Sequence, residues 1–195
     1  MSPTEPTKDE PLAVLGTVVW DASVLFSRWT LYFGMLVDGT HTARCRISTR
    51  IGEEVVLALF RKQRWDALEH FAAGAKQGWF HRLPAVVTED EVAAAAERFP
   101  AVDADDHHVV AAAMKESASF LVTNDLGHFA VDDLASEGIQ VLSGDAFGVV
   151  ALEANGAAIV QLARRDGQDS SVLADRLAAA GLASTAEAVR SLLAP

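Results

Sequence analysis

The chain has 195 residues, of which half are hydrophobic, so it suits one domain of ordinary size with a possible appendage and is not intrinsically disordered. A net charge of −11 argues against a protein that coats nucleic acid, because such proteins are normally basic. The single cysteine, Cys45, excludes an internal disulfide and suits a reducing cytoplasm. No uninterrupted apolar segment approaches the roughly 18 residues of a membrane helix, so we expect no membrane association.

The N-terminal third of the chain begins with a polar segment that contains prolines and lacks the regions of a signal peptide. This predicts a disordered tail over residues 1–12. A β-rich run follows at 14–20, and 29–37 has the apolar spacing of a helix. Ser48 is placed to cap the next helix, which is predicted to have one apolar face. That face consists of Ile51, Val55, Val56, Leu59 and Phe60.

The middle of the chain alternates helix and strand signals. Helices are predicted at 65–76, after the T-x-x-E capping box that begins at Thr88, and from the acidic run 103–106 to about 117. Short buried strands are predicted at 119–123 and 139–142. Strands that alternate with helices predict an α/β fold with a parallel sheet that is covered on both faces.

Beyond Asp145 the sequence contains only helix signals. Ser143 is placed to cap the first of these helices, Gly181 to end the second, and Ser184-x-x-Glu187 reads as a capping box for the last. We therefore expect a domain over 13–150 and a C-terminal helical extension over 151–195 that packs on it.

Four acidic residues stand where a fold of this kind would bring them together. They are Asp21, Glu54, Asp106 and Asp125. Asp21 and Asp125 each follow a predicted strand, and ligands bind beyond the carboxyl ends of parallel strands. Taken singly, each acid also has an ordinary explanation as a turn cap, a helix-dipole partner or a solvated charge. Together they would repel unless a cation lay between them, which predicts a carboxylate-held divalent metal that handles phosphate.

Other residue types give weaker signals. Two basic clusters are candidates for contact with a nucleic acid, although each also fits a solvated surface: Arg44, Arg46 and Arg50, and Arg61, Lys62 and Arg64. The tryptophans could stack on unpaired bases, but core packing explains most of them better. The hydroxyls of Ser23 and Thr123 could bond the acids or a phosphate, although a strand-end hydroxyl is more often a simple cap. The histidines follow no zinc-ligand spacing.

Four segments, in their order along the chain, carry a family resemblance from residue 21 to about 147. They are D-A-S-V-L from Asp21, Ser48-x-x-Ile51-x-x-Glu54, D-A-D-D-H-H-V from Asp103 with alanines behind it, and L-V-T-N-D to Asp125 with Phe129. This ordered set resembles the PIN-domain family, and most closely the VapC-type toxin ribonucleases with a C-terminal helical extension. Each motif alone is weak, whereas the ordered set is fairly specific.

The resemblance implies a three-layer α/β/α sandwich around a central parallel sheet. It implies that Asp21, Glu54, Asp106 and Asp125 are catalytic and bind Mg²⁺ or Mn²⁺, with Asp103 or Asp105 in an outer shell. The implied activity is hydrolysis of RNA by metal-activated water, as the toxin of a type II toxin–antitoxin pair. A cytoplasmic location, a cognate antitoxin and homodimers, which relatives often form, are also implied.

Two departures from the family pattern stand beside this resemblance. His128 occupies a position where many relatives carry an aspartate before the phenylalanine, and the pair His107-His108 replaces a more usual basic residue and histidine. A PIN-like module that binds RNA or a protein without cleaving it therefore stays open, although the four acids argue against it. A phosphatase of the haloacid-dehalogenase type is disfavoured because Ser23 stands where that class needs an aspartate.

Overall fold

The computed structural model describes residues 14–76 and 85–193, and in them four parallel strands form one sheet. The strands are β1 (Thr17–Trp20), β2 (Arg44–Arg46), β3 (Phe120–Val122) and β4 (Gln140–Leu142), in the order β2-β1-β3-β4. Val19 in the central strand β1 pairs with Arg46 on one side and Leu121 on the other. The tail expected over 1–12 lies outside the described residues, as does Trp79.

Nine helices accompany the sheet in the described part of the chain. They are α1 (Arg28–Gly39), α2 (Thr49–Arg61), α3 (Trp65–Lys76), α4 (Glu89–Arg98), α5 (His107–Lys115), α6 (Val131–Ser136), α7 (Gly144–Arg165), α8 (Ser170–Ala179) and α9 (Ala183–Ser191). Two 3₁₀ turns, Ala22–Val24 and Leu126–His128, follow β1 and β3. The prediction of an α/β fold with a parallel sheet is confirmed, and the arrangement is compatible with a three-layer sandwich.

Hydroxyl caps define several helix starts, as the sequence predicted. The Oγ of Ser48 accepts a hydrogen bond from the backbone N–H of Ile51, and Ser143 accepts one from Ala146. Thr88 and Glu91 form the predicted reciprocal capping box. Each cap satisfies a backbone donor that has no partner within its own helix, which fixes where the helix begins.

The core forms around β1 and β3, whose side chains are buried except for that of Phe120, which is partly buried. Trp20 is 1% exposed and meets Phe147 of α7 edge to face, with ring centroids 5.4 Å apart. Helix α5 contacts both β1 and β3 through a buried stretch of small residues, Ala111, Ala112 and Ala113. Small side chains let the helix approach the sheet closely, which brings the first turn of α5 beside the strand ends.

The region of β2 and α2 departs from the sequence predictions. No strand was predicted at β2, because its sequence is Arg-Cys-Arg, yet Arg46 is buried and its Nε lies 3.4 Å from an oxygen of Glu116. The proposed basic cluster of Arg44, Arg46 and Arg50 is therefore wrong, since burial removes Arg46 from any surface.

The prediction of one apolar face on α2 is wrong for two of its five residues, which are exposed to solvent. Val56 is 40% exposed and Phe60 is 58% exposed.

The C-terminal helices correct a second prediction. Helix α9 begins without a cap from Ser184 or Glu187. The carboxylate of Asp145, at the start of α7, instead accepts hydrogen bonds from the backbone N–H groups of Ser184 (3.0 Å) and Thr185 (2.8 Å). A residue 39 positions earlier in the chain supplies the cap, so no local spacing could have revealed it.

Helix α7 has the length and apolar composition that could cross a membrane. Within the fold, 44% of its apolar window is buried, and the helix contacts α1, α9 and β4. A buried core helix meets the same criteria of length and composition, so the property is weak evidence for a membrane span. The boundary predicted between residues 150 and 151 falls inside this helix.

Candidate active site

An open cleft of about 330 Å³ lies beyond the carboxyl ends of β1 and β3, and we call it the acidic cleft. All four acids that the sequence singled out line it: Asp21, Glu54, Asp106 and Asp125. The remaining lining residues are Ala22, Ser23, Phe26, Leu57, Ala58 and Arg61. Strand ends supply two of the acids, and the helices α2 and α5 bring the other two to the same edge of the sheet.

Asp21 is the most firmly held of the four acids. It is 6% exposed, and its backbone N–H continues the pairing with β3 by bonding the carbonyl of Val122 at 2.9 Å. Its Oδ2 accepts hydrogen bonds from the hydroxyls of Ser23 (2.6 Å) and Thr123 (2.8 Å). Bonding a carboxylate of the site is one of the roles that the sequence left open for these two hydroxyls. Oδ1 accepts no hydrogen bond from any described residue, so it keeps its capacity to accept.

Asp106 stands immediately before α5, but its side chain does not cap the helix. Its Oδ2 lies 3.0 Å from Nδ1 of His128. Burial raises the pKa of Asp106, and the negative charges of Asp21 and Asp103 raise it further, while the hydrogen bond from His128 opposes them without cancelling them. The same hydrogen bond raises the pKa of His128. The carboxylate of Asp106 is therefore repelled by nearby negative charges, and it forms a hydrogen bond with His128.

Glu54 projects from α2 to a residue of α5. Its Oε1 lies 3.2 Å from Nε2 of His108 and 3.3 Å from Nε of Arg50. Burial raises the pKa of this carboxyl, but the hydrogen bonds and charges of His108 and Arg50 outweigh burial, and the net effect lowers it. Glu54 is thus kept ionised, and it ties α2 to α5 across the cleft.

The remaining acids differ in what they contact. The backbone N–H of Asp125 bonds Thr123 at 3.0 Å, and its side chain forms no hydrogen bond within the described residues. Asp103 accepts a hydrogen bond from the backbone of Asp105 at 3.0 Å. Asp103 and Asp105, which were the predicted outer-shell acids, do not line the acidic cleft as the structure describes it. Asp103 acts on the cleft only through its charge, which raises the pKa of Asp106.

Three of the cleft acids occupy helix-start positions without serving as caps. Asp21, Asp106 and Asp125 each precede a helical turn, and none of them makes a side-chain capping bond. Elsewhere, Ser48 and Asp169 at equivalent positions do bond the helix backbone. Capping therefore does not explain why acids stand at these three positions.

The donor chemistry of the cleft suits a hard divalent cation, although the side chains do not form a closed coordination shell. All four acids offer carboxylate oxygens, the ligands that Mg²⁺ and Mn²⁺ prefer. Within residues 14–76 and 85–193, no group of three or more His, Cys, Asp or Glu side chains is arranged to hold a metal ion. Two of the acids bond His108 and His128 instead. Since the repulsion between Asp21 and Asp106 would be relieved by a cation, the residues fit such an ion in chemistry and charge.

Sequence reasoning did not place Arg61 in the cleft, where it is the only cation among the described lining residues. The sequence indicates Arg61 only as a member of a basic cluster. The signal was present in the spacing, because Glu54, Ala58 and Arg61 are separated by four and three positions on one helix and so share a face.

Comparisons of the chain with protein-family models, with curated proteins and with solved structures find no match. The chemistry of the acidic cleft is therefore the main ground for a functional inference. The cleft contains four carboxylates and one arginine. Two hydroxyls bond the carboxylate of Asp21, and a histidine bonds that of Asp106.

Proposed function

We propose that this protein is a metal-dependent endoribonuclease of PIN-like fold, and that it is the toxin of a type II toxin–antitoxin pair. One observation carries the proposal: four acids that lie far apart in the sequence line a single cleft at the carboxyl edge of a parallel sheet. Such an edge is where open α/β folds bind their ligands. The sequence resemblance to PIN-domain ribonucleases supplies the reaction class and the toxin role.

In this proposal Asp21, Asp106 and Asp125 hold Mg²⁺ or Mn²⁺, and Glu54 completes the acidic set. A bound ion of this kind lowers the pKa of a water molecule and offsets the charge that develops on a phosphate. The hydroxyls of Ser23 and Thr123 fix the orientation of the Asp21 carboxylate, since both bond the same oxygen. Preorganisation of this type removes the cost of ordering the group during the reaction.

Arg61 gives the cleft a second means of binding a phosphate. Its guanidinium lines the same wall as Glu54 and has no acidic partner among the described residues. A free guanidinium binds phosphate oxygens in a bidentate manner. Arg61 would therefore hold the RNA backbone while the carboxylates act at the scissile phosphate.

The proposal extends to partners and location through the resemblance alone. We propose that the protein acts in the cytoplasm, that an antitoxin covers the acidic cleft, and that the protein can form homodimers. Purification with and without the product of the adjacent gene tests this part. Suppression of RNA cleavage by that product is the expected outcome.

The central test is RNA cleavage by the purified protein in Mg²⁺ and in Mn²⁺. We expect cleavage that EDTA stops and that Asp21→Asn abolishes, with the far-UV circular dichroism spectrum unchanged. Asp169→Asn is the matched control, because Asp169 caps α8 away from the cleft and its loss should leave cleavage intact. Unchanged cleavage in a folded Asp21→Asn protein would contradict the mechanism.

A module that binds RNA without cleaving it is the second candidate, and one contact favours it. His128 bonds Asp106 at 3.0 Å, so one acid of the cleft is already paired within the chain. In this case RNA binds with no cleavage in either metal. Cleavage that appears only in His128→Asp would identify the histidine as the cause of the lost activity.

A further inference from the structure

The acidic cleft continues onto an exposed apolar and basic surface where α2 ends and α3 begins. We call this surface the α2–α3 platform, and it consists of Leu57, Phe60, Arg61, Lys62, Arg64 and Trp65. Leu57 and Arg61 belong to both the platform and the cleft. The platform is therefore continuous with the proposed catalytic site.

Three large apolar side chains of the platform face solvent. Leu57 is 51% exposed, Phe60 58% and Trp65 50%. The rings of Phe60 and Trp65 meet edge to face, with centroids 5.4 Å apart and an interplanar angle of 89°. The two rings thus pack against each other while about half of each residue stays accessible. Clustered exposed apolar side chains of this kind mark binding surfaces more often than isolated ones do.

The same surface carries positive charge on a strongly acidic protein. The net charge of the chain is −11, yet Arg61, Lys62 and Arg64 fall within four consecutive positions. Arg61 has no acidic partner in the described part of the chain, and Lys62 lies over the ring of Phe26 at 4.6 Å, at the wall of the cleft. Arg64 makes only a long, exposed contact of 3.7 Å with Asp66, which water and salt screen.

We propose that the α2–α3 platform binds unpaired bases of a single-stranded RNA whose backbone runs into the acidic cleft. Aromatic faces beside cations are the combination that binds single strands, because every base can stack and every phosphate is anionic. In a symmetric dimer formed through this surface the cations of one platform would face those of the other and repel, whereas the anionic backbone of RNA complements them. The inference deepens the proposed function, and it depends on that function for the position of the cleaved bond.

Binding is tested apart from cleavage, in full-length protein that carries Asp21→Asn. The probe is a fluorescein-labelled 12-nucleotide RNA of mixed sequence, single-stranded or annealed to its complement, and the readout is fluorescence anisotropy. We expect the single strand to bind more tightly than the duplex. Loss of one stacked base should weaken binding by roughly tenfold to a hundredfold in Trp65→Leu, whereas Trp65→Phe should retain most of the affinity.

Two controls separate stacking from a general loss of apolar surface. Phe60→Leu provides a second aromatic deletion that keeps an apolar side chain, in case Trp65→Leu fails to fold. Val172→Ala removes apolar surface from a residue that is 40% exposed on α8, and it should leave RNA binding unchanged. Circular dichroism checks that each variant is folded.

Salt dependence tests the charges of the platform independently. Each phosphate contact contributes a slope of about 0.7 to the fall of log K with log salt for single strands. The double variant Arg61→Gln, Lys62→Gln should therefore lower this slope by about 1.4. Arg165→Gln, at the far end of α7, is the matched control and should leave the slope unchanged.

The outcomes distinguish this proposal from the proposed function. If both leucine variants bind the single strand as tightly as their parent, the platform proposal is overturned. It is also overturned if these variants change only the sedimentation of the protein, since the surface would then be an interface between copies. Absence of cleavage together with intact platform binding would overturn the nuclease and leave the platform. RNA cleavage with an unchanged KM in Trp65→Leu would overturn the platform proposal and leave the nuclease proposal standing.

Discussion

The acidic cleft and the junction of α7 with α9 each contain an aspartate at the start of a helix, and the two carboxylates have opposite surroundings. Asp145 accepts hydrogen bonds from the backbone of Ser184 and Thr185 and from the Thr185 hydroxyl, at 2.8 to 3.0 Å. Burial raises the pKa of Asp145, but these bonds outweigh burial and lower it. Asp106 accepts one side-chain bond, from an exposed histidine, and its pKa is raised.

The ionised carboxylate of Asp145 therefore stabilises the fold, whereas the ionised carboxylate of Asp106 destabilises it. The protein holds the charge of Asp145 with three donors, so ionisation favours folding there. At Asp106 burial and the charge of Asp21 oppose ionisation, so the fold bears a cost at that position. Groups whose charge is disfavoured in this way cluster at functional sites more often than elsewhere.

The largest expected effect is on RNA cleavage, and it compares the two aspartates directly. Asp106→Asn should reduce the cleavage rate at least about a hundredfold, because a charged group at the proposed site is removed. Asp145→Asn should cleave at the parent rate once the protein is folded. Single-turnover cleavage of a labelled RNA measures both. Equal losses in the two variants would remove the distinction between the regions.

The packing of the α7–α9 junction is expected to be intolerant of added volume. A Cβ on Gly148 would overlap the side chain of Thr185, so Gly148→Ala should lower the free energy of unfolding by about 1–3 kcal/mol. The matched control is Gly52→Ala in α2, whose Cβ would meet Ile47 at an ordinary 3.6 Å. That variant should be stabilised by up to about 1 kcal/mol, because alanine favours helix. Urea unfolding measures both changes.

Removal of the remote cap should destabilise the fold by a smaller amount. Asp145→Ala deletes the acceptor of two backbone N–H groups at the start of α9, which costs about 1–2 kcal/mol. Glu187→Gln, at the acid of the capping box predicted from sequence, should change the free energy of unfolding by less than about 0.5 kcal/mol. If Glu187→Gln lowered the free energy of unfolding strongly and Asp145→Ala did not, the capping box predicted from the sequence would be correct and the remote cap wrong.

The stabilisation from Asp145 should depend on pH in a defined direction. Because its pKa is lower in the folded state, the charged carboxylate stabilises the fold above its unfolded pKa, about 3.9, and this contribution is lost as the pH falls through the folded pKa. The difference in free energy of unfolding between the parent and Asp145→Asn should be constant near pH 6 and shrink below about pH 4. Urea titrations from pH 7 to pH 3 measure it, and a difference that grows toward acid would contradict the assignment.

The smallest expected effect is a gain of stability at the cleft. The pKa of Asp106 is raised on folding, so its ionised form opposes folding at neutral pH and its protonated form is favoured in acid. Asp106→Asn should therefore raise the Tm slightly at pH 7, in EDTA, and the gain should vanish as the pH falls below the unfolded pKa. Differential scanning calorimetry of both proteins at pH 7 and pH 3 tests this sign.

Local patterns predicted much of the scaffold. The caps at Ser48, Thr88 and Ser143 lie where the sequence placed them, because a capping bond spans only two or three residues. The strand β2 escaped prediction because a three-residue strand with two arginines carries no apolar period. The cap of α9 escaped because its acceptor is distant in the sequence.

The sequence by itself determined that Asp21, Asp106 and Asp125 follow strands or begin a helix, since hydrophobic periodicity and caps are read over a few residues. Only the tertiary structure decided which protein groups bond the carboxylates of Asp21, Asp106 and Glu54. The hydroxyls of Ser23 and Thr123 hold Asp21, His128 bonds Asp106, and His108 bonds Glu54. These partners come together because the parallel register of β1 with β3 and the close packing of α5 bring distant segments to one edge of the sheet. Hydrogen bonds and electrostatic interactions depend on distances in space, and the spacing of residues along the chain does not give these distances.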